Sequence, residues 1–127
     1  MEKLPKPTEK ELEILQVLWK EGAATVRQIN DELSREREVG YTTTLKFLQI
    51  MHEKGLVSRE RSGKTHIYEA AISESKAQQH LVNDLLDNAF RGSAMKLVMG
   101  ALGSRKSSKK ELDELRRYLD DLEGGAK

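Results

Sequence analysis

The stretch Gly40 to Lys54, GYTTTLKFLQIMHEK, restricts the fold more than any other part of the chain. Thr44, Phe47, Leu48 and Met51 fall at i, i+3, i+4 and i+7, the spacing of an amphipathic helix seated on a core. The opposite face carries Thr42 and Thr43, then Lys46, Gln49 and Ile50 one and two turns on. That face is short-chained, hydroxylated and weakly basic, so it suits close approach to base edges in a DNA groove. Gly55 stops the helix. Leu56 to Ala70, LVSRERSGKTHIYEA, then has the pattern of a β-hairpin with Ser62-Gly63 at its tip and Arg59, Arg61 and Lys64 around it. A groove-sized helix over 41–54 followed by a basic hairpin over 57–69 is the layout of a winged helix-turn-helix.

The upstream sequence fits that layout. Met1 to Pro7 holds both prolines and no periodicity, and is expected to be a loose arm. Thr8-x-x-Glu11 is a capping box, in which each side chain satisfies a backbone donor that the helix leaves free. Leu12, Leu15, Val17, Leu18 and Trp19 follow as an apolar stripe, with Trp19 expected to plug the core, and Glu21-Gly22 breaks it. Ala23-Ala24 suits a short strand beside the hairpin. A second capping box, Thr25-x-x-Gln28, opens a helix through Val26, Ile29 and Leu33 to Ser34, and Arg35 to Val39 is a charged loop.

From Ser73 the strand pattern is gone. Ser73 to Phe90 places Ala77, Leu81, Val82, Leu85, Leu86 and Ala89 on one broad stripe, and Ser93 to Leu102 reads as a short apolar helix. Gly103 to Ser107 reads as a basic linker. Ser108-x-x-Glu111 is a third capping box ahead of Leu112, Leu115, Leu119 and Leu122, with Gly124-Gly125 expected to free the end. Three short helices bury too little surface to stand alone, and a second copy of the same segment is the expected cover, since symmetric homodimers are the commonest oligomers. Leu81, Leu85, Leu112, Leu115 and Leu119 are the expected dimerisation residues. The fold class is mainly α: a winged helix-turn-helix over 1–72, of three helices and a small wing, then an all-α dimerisation region over 73–127.

Composition narrows the chemistry. The chain has 127 residues, 34% of them charged, and a net charge of only +1. Tyr41 to Tyr68 is locally basic, with Lys46, Lys54, Arg59, Arg61 and Lys64 against Glu53 and Glu60. This bias falls short of the pI above about 9 expected of a strongly basic nucleic-acid module. There is no cysteine, which excludes disulfides and thiolate metal sites. No stretch approaches the roughly 18 consecutive apolar residues of a membrane span, and Met1 to Thr8 has no signal-peptide core, so the expectation is a soluble cytoplasmic protein without membrane insertion. His52, His66 and His80 are scattered, and His52-Glu53 lacks the second histidine of a zincin motif. His80 and Asp84, at i and i+4, are a weak metal pair, more simply read as a salt link. Neither a catalytic residue, a metal nor a cofactor is expected.

The candidate DNA-binding residues are Thr42, Thr43, Lys46, Gln49, Arg59, Arg61 and Lys64. Each also has a plainer reading. Thr is common near helix starts, but a run of exposed β-branched residues is poor helix material and asks for a reason. A threonine can bond a phosphate or base edge or set its methyl against a thymine methyl, Lys46 can reach guanine or phosphate, and Gln49 can pair with adenine. The plain reading of Lys46 and Gln49 is solvated helix surface. That of the hairpin cations is ordinary charge, yet beside a groove-sized helix they suit phosphate or minor-groove contact.

Five segments in one register, Leu12-Glu13-Ile14-Leu15 to Trp19, Gly40-Tyr41-Thr42-Thr43 to Leu48, Glu53-Lys54-Gly55-Leu56, Ile67-Tyr68 and Glu111-Leu112-Asp113-Glu114-Leu115, resemble the BlaI/MecI penicillinase-repressor family. The resemblance runs from about Lys6 to Glu123. It implies a homodimeric transcriptional repressor that reads an inverted-repeat DNA operator and is induced through a membrane-bound sensor protease that leads to cleavage in the dimerisation region. Three features depart from the family pattern. Gly100-Ala101 stands where the scissile Asn-Phe pair falls, the cysteine cluster of the copper-responsive relatives is absent, and Ile50 stands where relatives often carry a basic residue. The alternative function is a winged-helix protein-interaction module without specific DNA binding.

Overall fold

The computed structural model describes residues 6–125, so most of the expected N-terminal arm, residues 1–5, lies outside the described residues. The chain divides between Val82 and Asn83 into two compact units.

In the first unit, α1 (Glu9–Glu21) begins at Thr8, whose capping box forms in full: Thr8 N–H donates to Glu11 Oε1 at 2.9 Å and Glu11 N–H to Thr8 Oγ1 at 3.2 Å. β1 (Ala24–Thr25) leads directly into α2 (Val26–Leu33), where Thr25 and Gln28 form the second box in the same reciprocal way. After the charged loop comes α3 (Tyr41–Lys54), closed by Gly55 in the left-handed conformation at φ 85, which a residue without Cβ adopts freely. β2 (Val57–Ser62) and β3 (Thr65–Ala70) form the wing, and β1 pairs antiparallel with β3, giving a three-stranded sheet in the order β1-β3-β2. The wing tip is Gly63-Lys64, one residue later than expected. Gly63, with φ 64, takes the first central position of the two-residue turn, the place where a hairpin turn of the II′ type requires glycine.

The core is built from all of these elements: Ile14, Leu15 and Leu18 of α1, Val26 and Ile29 of α2, Leu48 and Met51 of α3, then Leu56, Val57, Tyr68 and Ile72. On α1 the buried line runs through Glu11, Ile14, Leu15 and Leu18, and Leu12 is only half-buried, so the expected stripe is rotated slightly about the helix. Trp19 is half-buried at the edge of the core and does not plug it. Its indole Nε1 donates to the carbonyl of Ile72 at 2.9 Å, which satisfies the polar end of the ring and ties α1 to the chain leaving the wing.

α4 (Glu74–Asn88) starts at Ser73, whose Oγ accepts from Lys76 N–H, and its Ala77 belongs to the core of the first unit. The second unit contains the end of α4, then α5 (Ala94–Ser104) and α6 (Lys109–Gly125). Both later helices overrun the expected stops. α5 includes Gly103, and α6 includes Gly124 and Gly125. Glycine in a helix costs about 1 kcal/mol relative to alanine, which weakens a helix without forbidding it. Each has a serine cap, Ser93 accepting from Lys96 N–H and Ser108 from Glu111 N–H.

Candidate nucleic-acid interface

α3 keeps its two faces apart as the periodicity requires. Thr44, Leu48 and Met51 are buried and Phe47 packs half-buried against them, while Thr42, Thr43, Lys46, Gln49 and Ile50 form one continuous exposed face. Thr44 is the polar exception on the buried side. Its Oγ1 donates to Asn30 Oδ1 at 2.7 Å, so the hydroxyl is satisfied and α3 is joined to α2 at that point. The exposed threonines of α3 have no such internal use among the described residues.

The wing sorts its charges by strand geometry. Arg59 pairs with Tyr68 and Arg61 with His66, whereas Glu60 pairs with Ile67. Alternation therefore sets Arg59 and Arg61 on the sheet face that bears Val57 and Tyr68, and Glu60 on the other. Arg61 also braces the turn, its Nε donating to the Gly63 carbonyl at 3.1 Å. Lys64, at the tip, borders an open cavity of about 420 Å³ together with Arg27 of α2, Tyr41 and Leu45 of α3, and His66 of β3. The structure thus brings Lys64 beside the first turns of α2 and α3, while Arg59 and Arg61 stay on the ribbon outside that cavity.

The balance of charge differs from the sequence count at two residues. Lys54 is occupied, because its Nζ donates to both carboxylate oxygens of Glu11, and so it leaves the basic face. Arg27 joins it. This residue is exposed in the first turn of α2, has no acidic partner among the described residues, and lines the same cavity as Lys64. The Thr25-x-x-Gln28 box placed Arg27 at a helix start, but only the packing of the wing against α2 shows that it faces the same way as α3. The loop arginines do not contribute, since Arg35 pairs with Glu32 at 3.0 Å and Arg37 with Glu13 at 2.8 Å.

The expected dimerisation residues sit on two helices. Leu81 and Leu85 are on α4, half-buried and 48% exposed, and on α6 Leu112 and Leu115 are half-buried and Leu119 exposed. Neither α5 nor α6 has a single buried residue. Among the described residues the most exposed large apolar side chains, Met95 at 73% and Met99 at 65%, lie on α5, which the leucine pattern did not single out. Gly100-Ala101 lies within α5. Among the described residues no helix is long and apolar enough to cross a membrane, and no three His, Asp or Glu side chains gather as a metal site.

Comparison with known proteins agrees with this architecture. The chain is 25% identical over 121 residues to the penicillinase repressor of Bacillus licheniformis, covering 95% of this chain and 94% of that one. It is 31% identical over 130 residues to the transcriptional regulator BlaI of Mycobacterium tuberculosis, covering 98% and 91%. Among solved structures it resembles the Bacillus licheniformis BlaI monomer in complex with the blaP half-operator, with a TM-score of 0.51 and 28% identity over 60% of this chain and 93% of that one. The model of the penicillinase repressor family matches residues 7–121, and the chain belongs to that family.

Proposed function

We propose that this protein is a homodimeric transcriptional repressor that binds an inverted-repeat operator in double-stranded DNA, with α3 in the major groove and the wing on the flanking backbone. The observation that carries this reading is the exposed face of α3, where Thr42, Thr43, Lys46 and Gln49 are left outside the hydrogen bonds and ion pairs of the core, on the same unit as the cations Arg27 and Lys64. The solved relative bound to a half-operator supports it. Thr43, Lys46 and Gln49 read base edges; Thr42, Arg27, Arg59, Arg61 and Lys64 hold phosphates and set the register of the helix.

The helical region over 73–127 is the dimerisation region in this reading, supported by the uncovered apolar side chains of α4 to α6. A repressor of this kind works in the cytoplasm. Release by a membrane-bound sensor protease, if it uses the position of the family's scissile pair, requires α5 to unwind around Gly100-Ala101, because a peptide in helical conformation does not fit an extended cleavage site. The deciding experiment is an anisotropy titration of the full chain against genomic DNA fragments. Tight binding to one fragment over bulk DNA is expected. Equal, weak binding to all of them would instead favour a protein-interaction module.

A further inference from the structure

α3 carries an apolar residue on the face that this reading turns toward DNA. Among the described residues ahead of Val82, the large hydrophobics left exposed are Tyr41 at 48% and Ile50 at 38%, and both lie on α3. Tyr41 has a local use, lining the cavity between the first turns of α2 and α3 and the wing tip. Ile50 has none. It stands one turn beyond Lys46 and two beyond Thr43, at i+4 and i+7, so it continues their line along the helix.

We propose that Ile50 recognises the 5-methyl group of a thymine, and that it fixes a T·A pair at one position in each half-site. The inference rests on the reading of α3 as the groove-entering helix. An aliphatic side chain on such a face can neither donate nor accept a hydrogen bond. In the major groove the thymine methyl is the one apolar feature among the base-edge donors and acceptors, and covering it removes apolar surface of both partners from water. A cytosine there presents a C5–H in place of the methyl, so the same contact covers less apolar surface and contributes less. Thr43 is the other methyl-bearing residue of the face, so the test must separate the two.

Duplexes enriched by the full chain from a random-sequence pool supply the probe, and each thymine in turn is replaced by deoxyuridine, which deletes the methyl and nothing else. One symmetric pair of thymines is expected to show a loss of about fourfold per half-site, the equivalent of one buried methyl group. Ile50→Ala should weaken binding to the unmodified duplex and remove the uracil penalty at that pair. The substitution is on an exposed face and puts in the strongest helix former, so the fold is kept. The proposal is overturned if no thymine pair shows a penalty, or if the penalty persists in Ile50→Ala and disappears in Thr43→Ser. If no duplex is enriched at all, the DNA-binding reading itself fails, a result distinct from indifference to uracil.

Discussion

Lys54, the last residue of α3, donates from Nζ to both carboxylate oxygens of Glu11, at 3.0 and 2.9 Å. Glu11 is only 2% exposed and also serves the α1 cap by accepting from Thr8 N–H. One carboxylate therefore fixes the start of α1 and the end of α3 together. Burial alone raises the Glu11 pKa, but the hydrogen bonds from Lys54 and Thr8 and the charge of Lys54 outweigh it, and the net shift is downward.

Two consequences are measurable at fixed protein concentration. Lys54→Met leaves a buried carboxylate without its cation and should cost ~1–3 kcal/mol in urea unfolding, toward the low end of values for broken buried pairs because the lysine is 35% exposed. The pH dependence has a definite sign. A carboxylate with a lowered folded-state pKa binds fewer protons folded than unfolded, so its contribution is complete above the ordinary glutamate pKa and is lost as pH falls through the lowered value. Glu11→Gln should therefore narrow the gap to wild type at acid pH and leave it widest near neutrality.

Tyr68 gives a prediction of opposite sign. It is fully buried on β3, and its hydroxyl has no hydrogen-bond partner among the described residues. Tyr68→Phe removes that unsatisfied group at no loss of packing, so stability should stay level or rise by ~1 kcal/mol. A clear loss in thermal unfolding would mean that the hydroxyl is bonded in solution.

Electrostatic binding should report the residue that the sequence did not mark. Arg27→Ala is expected to reduce the slope of log K against log salt by about 1 per subunit and to weaken all sequences alike, as loss of a phosphate contact does. Lys54→Ala, its charge already taken by Glu11, should leave the slope unchanged. Equal slopes for wild type and Arg27→Ala would take Arg27 out of the interface.

Base reading and symmetry are linked through the dimer. Lys46→Ala should cost ~1–3 kcal/mol per half-site and relax preference at one symmetric pair of positions, whereas a phosphate contact would weaken every sequence equally. Two helices related by a twofold axis reach major grooves about one helical turn apart, so inserting about 5 base pairs between half-sites should abolish tight binding. Survival of tight binding would show that the two winged helices are joined flexibly.

The apolar side chains of α5 and α6 should bring two chains together. Met99→Lys, at a side chain 65% exposed, is expected to yield a monomer by light scattering at micromolar concentration, with the far-ultraviolet circular dichroism of the winged-helix unit intact. If wild type is already monomeric, the homodimer reading is wrong.

The amino-acid sequence by itself determined the local order. The capping boxes at Thr8 and Thr25, the glycine at position 55 and the spacing of Thr44, Leu48 and Met51 are short-range signals, because a helix end or a helix face is decided by residues within a turn or two of one another. The exposed set Thr42, Thr43, Lys46 and Gln49 was legible for the same reason. Where the signal weakened, the boundaries moved: glycines 103, 124 and 125 read as stops yet are helical, since glycine only disfavours a helix. Long-range partners were left to the tertiary structure. Lys54 counted toward the local basic bias until Glu11, 43 residues away, took its charge, and Thr44 looked merely buried until Asn30 accepted its hydroxyl. Arg27 was one arginine among many until the wing tip packed beside it. Whether a charge is free to meet DNA depends on what the fold brings within about 3 Å of it, and no periodicity along the chain encodes that distance.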